Sequence, residues 1–398
     1  MMMLPTTQTR PEDHSDRRRY GTVLAMLFSA HLALGVAATA QADEIRVAIG
    51  LPEPHAHSVG YEGYKDYVAA NSDHELKIYH LSLLKLNEIP DGLRDGVVNM
   101  GNVVSPYKPA EYSEFNLAAD LSMLSTSGDA AKYPAAAVTG AMMDYVHHNC
   151  PDCVAQFGGQ NQVFLGASAT EPYALLCTSE LVGLDSFKGK KFRSGAANFG
   201  RWAESVGGVK VSMPGNEIYD AMSQGVVDCA MLSASTLIEQ SLSEVTKQII
   251  FGVPGGVFSG LANNNVNKDY WQGLSPDMRS VLMRGTAGLA AGIVMAQVDI
   301  VDRGMKAGEE AGLIVANADD ETMAAYTEFV SGDVAVIAQQ FEEKYGLKNV
   351  GDKIDAFKGL LVKWKGLTDP IGFDRAALEQ VYWDEILSKV DLSSYGLN

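Results

Sequence analysis

Lys190-Lys191-Phe192-Arg193-Ser194-Gly195-Ala196 reads as a short strand running into a tight turn, with a helix opening near Asn198. Val209 to Met213 is a second strand, and Glu217 to Gln224 is a small helix, with Asn216 as its expected N-cap and Gly225 as its stop. Val226 to Met231 is then a third strand. Strands and helices that alternate at this spacing point to α/β architecture with a largely parallel sheet. Arg193 falls at the carboxyl end of its strand, where open α/β sheets gather ligands and where a helix N-terminus offers free amides to an anion. A guanidinium there can grip a carboxylate through two parallel hydrogen bonds, which lysine cannot reproduce.

The same grammar extends upstream. Ile45, Val47 and Ile49 alternate in a first strand, His55 to Ala70 suits a helix, and Leu76, Ile78 and Leu81 mark a second strand. Ile89 to Gly96 suits a short helix, and Val97 to Val104 and Val163 to Ala167 suit buried strands. Downstream the pattern changes at Ser275-Pro276-Asp277, an N-cap followed by proline at the first helical position. Apolar residues then recur at helical spacing as far as Glu310, giving a helix roughly 50 Å long that must span more than one lobe or stand against a partner. Its glycines and alanines do not suit a long heptad seam. The tail from Ile354 to Asn398 carries aromatics at helical spacing, including Phe357, Trp364, Tyr382 and Trp383, which are expected to clamp the chain end onto a lobe. No internal repeat is visible.

At 398 residues the chain is too long for one ordinary core, and 46% apolar with 20% charged residues excludes a disordered chain and a multi-span membrane protein. Residues 1–42 have the form of an export signal. Arg17, Arg18 and Arg19 form a basic region, Val23 to Ala38 is mostly apolar, and Ala40-Gln41-Ala42 has the small-x-small pattern of a cleavage site. The expected location is the periplasm, by the general secretory route, and no later segment reads as apolar enough to span a bilayer. The formal charge is −18, and removing the signal region's net +1 leaves −19. That balance excludes a nucleic-acid partner, which needs a basic footprint.

Four cysteines are present: Cys150, Cys153, Cys177 and Cys229. Cys150 and Cys153 suit a local disulfide in an oxidising compartment, with free thiols as the second reading. His147 and His148 beside them keep open a metal site or redox chemistry.

Larger segments carry a family resemblance. These are Leu184 to Arg193, Val211-Ser212-Met213-Pro214, Glu217 to Asp228, Asn267 to Pro276, and Leu93-Arg94-Asp95-Gly96. In order and spacing they resemble the DctP-type solute-binding proteins of tripartite ATP-independent periplasmic (TRAP) transporters, from the first strand to about Gly346. The resemblance implies a two-lobed α/β periplasmic binding protein (Venus-flytrap fold) with the long helix spanning both lobes. Lobe I would comprise 43–168 plus about 258–298, lobe II 169–257 plus about 299–350, and 351–398 would be a helical tail packed on the lobes. It also implies capture of a small organic acid by hinge closure, delivery to TRAP membrane permease subunits, a monomeric receptor, no cofactor and no catalysis.

In that family Arg193 would be the carboxylate clamp. Tyr173, Asn198, Met213 and Phe258 would stand near it, with Glu53, His55, Asn102, Ser105 and Tyr107 across the cleft, and His57 beside His55. The chain departs from the family where a second polar group is common, at Tyr173, and in Cys229-Ala230-Met231-Leu232, where relatives are more polar. Both changes point to a monocarboxylate with an apolar or cationic remainder rather than a dicarboxylate or sugar acid.

No catalytic signature emerges: Gly166-Ala167-Ser168-Ala169 lacks a nucleophile elbow, and Gly195 and Gly200 form no phosphate loop. The competing expectations are a periplasmic metal-dependent hydrolase built on His147, His148, Cys150 and Cys153, and a ligand-binding sensor component.

Overall fold

The computed structural model describes residues 43–398; the expected export signal lies outside the described residues. Eleven strands fall in two sheets: β1 (Asp43–Ala48), β2 (His74–Tyr79), β3 (Met100–Val104), β4 (Gln162–Ser168), β5 (Ala174–Cys177), β6 (Lys191–Ser194), β7 (Val209–Ser212), β8 (Cys229–Leu232), β9 (Gln248–Phe251), β10 (Leu261–Asn267) and β11 (Ile314–Asn317). The first sheet has the order β2-β1-β3-β10-β4, the second β11-β9-β5-β8-β6-β7.

Each sheet contains one strand that runs against the rest. β10 is antiparallel to β3 and β4, and β5 is antiparallel to β8 and β9. The sheets are largely parallel as expected, and the reason for the one reversed strand in each is topological. β4 and β9 each end at the gap between the lobes, so the strand that follows must start at the gap and run away from it. The two crossing segments, 169–173 and 252–260, lie side by side: Thr170 N–H donates to Phe258 O (3.0 Å), and Tyr173 N–H donates to Gly256 O (2.9 Å). Gly256 has φ +67°, and a Cβ there would stand 2.8 Å from Met123 Cγ, so glycine is required on both counts.

The helix Pro276–Glu310 begins as expected, with Ser275 accepting from Met278 N–H. It packs on the helix Ala56–Asn71 at one end, where a Cβ on Gly60 would lie 2.5 Å from Ile293 Cγ1. At the other end a Cβ on Gly304 would meet Ala234 O at 3.0 Å, so the rod touches both lobes. One expectation fails here: by length and composition this helix could cross a membrane. Two-thirds of its apolar stretch, 67%, is buried inside the protein, which is how a core helix satisfies the same test.

Other boundaries moved. Leu81 is exposed with φ +36° and lies beyond β2, β3 starts at Met100 rather than Val97, and β8 starts at Cys229 rather than Val226. Asn216 is not an N-cap; it sits inside a 3₁₀ turn, Gly215–Glu217, that precedes the helix Ile218–Ser223. Gly225, at φ +68°, ends that helix as read.

The tail folds as two helices, Val350–Thr368 and Arg375–Glu385, against the first lobe. Trp364 is fully buried over Gly140, and its Nε1 donates to Asp144 Oδ2 (3.0 Å). Tyr382 donates to Ala136 O and Tyr395 to Phe164 O, both at 2.7 Å. Burying Trp364 and Tyr382 fully and Tyr395 in part contributes several kcal/mol at about 25 cal/mol per Å².

Candidate functional site

β6 delivers Arg193 to the gap between the lobes. The side chain is 2% exposed, so its charge is removed from water. Its Nε and Nη2 donate to Met213 O (3.2 and 3.0 Å), and Nη2 also reaches the Tyr107 hydroxyl from lobe I (3.4 Å). The same hydroxyl accepts from Gly215 N–H at 2.8 Å. Two glycines make room: a Cβ on Gly195 would stand 3.0 Å from both terminal nitrogens, and one on Gly215 3.9 Å from Nη2. Among the described residues no carboxylate pairs with Arg193. A buried, unpaired guanidinium is costly unless an anion completes it.

Arg193 opens on a crevice of about 80 Å³ between the lobes. Its aromatic wall comes from the crossing segments. Tyr173 stacks on Phe199 with ring centroids 4.6 Å apart and lies parallel to Phe258 at 6.1 Å. Burial pushes the Tyr173 phenol well above its ordinary value, and the neighbouring Arg193 pulls the other way.

The opposite wall comes from lobe I. His55 caps the helix Ala56–Asn71, its Nδ1 accepting from His57 N–H (3.2 Å). Burial lowers His55 and His57 to about 3, so both rings are neutral at physiological pH. Because His55 Nδ1 accepts from the backbone, its 3.2 Å contact with His57 Nδ1 needs a proton on the latter, which leaves His57 Nε2 a bare acceptor. That Nε2 is buried without a partner, and so are both amide atoms of Asn102 on β3.

Glu239 crosses the gap from lobe II. Its carboxylate accepts from Ala56 N–H at the helix start (2.9 Å) and from Ser235 Oγ (2.8 Å). Burial raises its pKa, opposed by these two hydrogen bonds and by His57.

Seven residues singled out in the sequence therefore meet around one crevice: Arg193, Tyr173, His55, His57, Asn102, Tyr107 and Phe258. Four do not. Glu53 is exposed and pairs with His80 at 3.1 Å. Ser105 is turned inward, its Oγ donating to Asn116 Oδ1 (2.7 Å), because it opens a turn under β3 rather than facing the gap. Asn198 is buried one helical step past the turn and reaches Ser122 Oγ at 3.3 Å. Met213 gives Arg193 its carbonyl, while its side chain borders a wider neighbouring groove. Glu239, Thr170 and Gln297 also border the crevice and were not found in the sequence, where nothing distinguishes them from surface polar residues.

The histidine and cysteine cluster near residue 150 is separate from the crevice. Cys150 and Cys153 are joined as a disulfide, His147 Nε2 bonds Leu165 O (3.0 Å), and His148 Nε2 bonds Ile386 O (3.1 Å). Among the described residues no group of three or more His, Cys, Asp or Glu is placed to hold a metal ion. A second disulfide, Cys177–Cys229, joins residues directly opposite each other on β5 and β8.

Two α/β lobes joined by paired crossing segments and a shared long helix make the architecture that of the two-lobed periplasmic binding proteins. Residues 174–330 match the model of bacterial extracellular solute-binding protein family 7, DctP. The fold is shared with the periplasmic ectoine-binding protein of the TeaABC TRAP transporter of Halomonas elongata (TM-score 0.68, 17% identity, 81% of this chain and 100% of that one). It is shared also with a Bordetella pertussis extracytoplasmic solute receptor binding pyroglutamic acid (0.65, 18%, 80% and 100%). A marine metagenome TRAP solute-binding protein specific for aromatic acid ligands gives 0.69, 19%, 81% and 99%. A solute-binding protein of Albidiferax ferrireducens is 34% identical over 96 residues, which span 24% of this chain and 28% of that relative. Part of the chain, residues 174–330, thus matches the DctP family model, and the fold is the one seen in solved TRAP solute-binding proteins.

Proposed function

We propose that this chain is an extracytoplasmic receptor, acting as a monomer, that captures a small organic monocarboxylate between its lobes and delivers it to TRAP membrane permease subunits. One observation carries the reading: Arg193 is buried at the gap without a carboxylate partner among the described residues. The solute's carboxylate would supply that partner. The relatives named above bind ectoine, pyroglutamic acid and aromatic acids, all small organic molecules. A single carboxylate is favoured over two, because the rest of the crevice presents neutral histidines, an amide and aromatic faces, with Glu239 as its other charge.

Capture would proceed by rotation of the lobes about the segments 169–173 and 252–260, with Tyr107 and Glu239 making contacts across the gap that only the closed form can hold. The role is binding without catalysis, with lobe I formed around the first sheet and lobe II around the second.

The test is calorimetric titration of purified protein with pyroglutamate, 3-hydroxybenzoate and succinate. Wild-type protein should bind at least one monocarboxylate more tightly than succinate, and Arg193→Ala should weaken that binding by about 100-fold or more, as for a desolvated charge pair losing one partner. Unchanged affinity in Arg193→Ala removes the clamp, and preference for succinate removes the single-carboxylate reading.

A further inference from the structure

Asn102 and His57 pose a question that the carboxylate clamp leaves unanswered. Asn102 is fully buried on β3, borders the crevice, and has neither its amide nitrogen nor its amide oxygen bonded. Buried side-chain amides are nearly always satisfied, because leaving both ends bare costs more than replacing the residue with an apolar one of the same shape. His57 Nε2 borders the same space and is a bare acceptor. Glu239 makes no hydrogen bond to either group: its oxygens accept from Ala56 and Ser235, and an ionised carboxylate has no proton to give His57 Nε2.

Resting on the receptor reading above, we infer that the solute carries, besides its carboxylate, a compact uncharged edge with both a hydrogen-bond donor and an acceptor, and that Asn102 with His57 selects for it. A lactam, a carboxamide or a hydroxyl has this chemistry. Asn102 can give to the acceptor and take from the donor, and His57 Nε2 can take a second donor. The edge is uncharged because its partners are: an amide carries no charge, and burial lowers both histidines far enough to leave them neutral at physiological pH.

Shape-matched acids that differ only in this edge provide the test. Pyroglutamate is compared with cyclopentanecarboxylate and with proline, and 3-hydroxybenzoate with benzoate, by calorimetry on wild-type protein and on Asn102→Leu. In wild type the member with the uncharged polar edge should bind at least about tenfold more tightly than its hydrocarbon partner in the pair that fits, and pyroglutamate more tightly than proline. Asn102→Leu should erase that gap while hydrocarbon acids still bind, which also shows that the variant folds. If Asn102→Leu does not fold, the wild-type comparison alone decides. Hydrocarbon acids that bind as tightly as their polar partners overturn this inference and leave carboxylate capture standing. Failure of every acid to bind wild-type protein counts against the receptor reading itself.

Discussion

Two arginines eight residues apart, Arg193 and Arg201, are both withdrawn from water in lobe II, and their surroundings are opposite. Arg201 spends its donors on protein. It holds Asp333 with two bonds (2.6 and 2.8 Å) and reaches Asp120 (3.1 Å) and Gln340 (3.2 Å). This cluster ties the helix Ala197–Ser205 to the lobe I helix Ser113–Asp120 and to the helix Asp320–Tyr345. Burial raises the Asp120 carboxyl while Arg201 draws it back down. Arg193 has a carbonyl and a phenol and, among the described residues, no anion. A buried charge with its counter-charges in place is architecture; one without them is a vacancy that a guest can fill.

The comparison can be broken most directly at Arg201. Arg201→Ala leaves two buried carboxylates facing each other and should cost about 3–5 kcal/mol of stability, read as a lower denaturant midpoint. Arg193→Ala, which abandons no carboxylate, should shift the same midpoint by less than about 1 kcal/mol in ligand-free protein. Equal losses would mean that Arg193 is structural as well. A finer probe is Gly195→Ala, whose methyl would press on the guanidinium at 3.0 Å. Stability should hold while affinity for the best monocarboxylate falls about tenfold, about 1.4 kcal/mol.

A pH-dependent effect concerns the far wall of the crevice. His57 sits near 3 in the folded protein and near 6.5 unfolded, so the unfolded chain takes up the proton first. Stability from this group is therefore level above about pH 6.5 and falls as pH drops toward 3. Against His57→Gln, wild-type protein should lose about 1.4 kcal/mol between pH 7.5 and 5.5 in paired unfolding curves. A gap independent of pH would mean that His57 is hydrated.

What could be read from the sequence follows from how local each signal is. The Ser275 cap, the length of the helix it starts and the placing of Arg193 at a strand end depend on neighbours within a few residues, and all three are found in the structure. Asn216 carried an equally local signal and failed, because the preceding turn tightened into a 3₁₀ form that moved the helix start. The pairing of Cys177 with Cys229 was not recognised, since it depends on the register of two strands 52 residues apart. Ser105 and Asn198 lie at the expected chain positions yet turn inward, and Glu239 arrives from a short helix with no motif of its own. Sequence gave the residues at the mouth of the strands; which way each side chain turned was decided by packing across the gap.

The place of β10 bears on how the molecule is made. It lies between β3 and β4, so the first sheet lacks an interior strand until residue 267 has been synthesised, long after its neighbours. An N-terminal fragment ending at β4 leaves two strand edges unpaired and cannot close early. About two-thirds of the chain, 267 of 398 residues, must therefore be present before this sheet is complete.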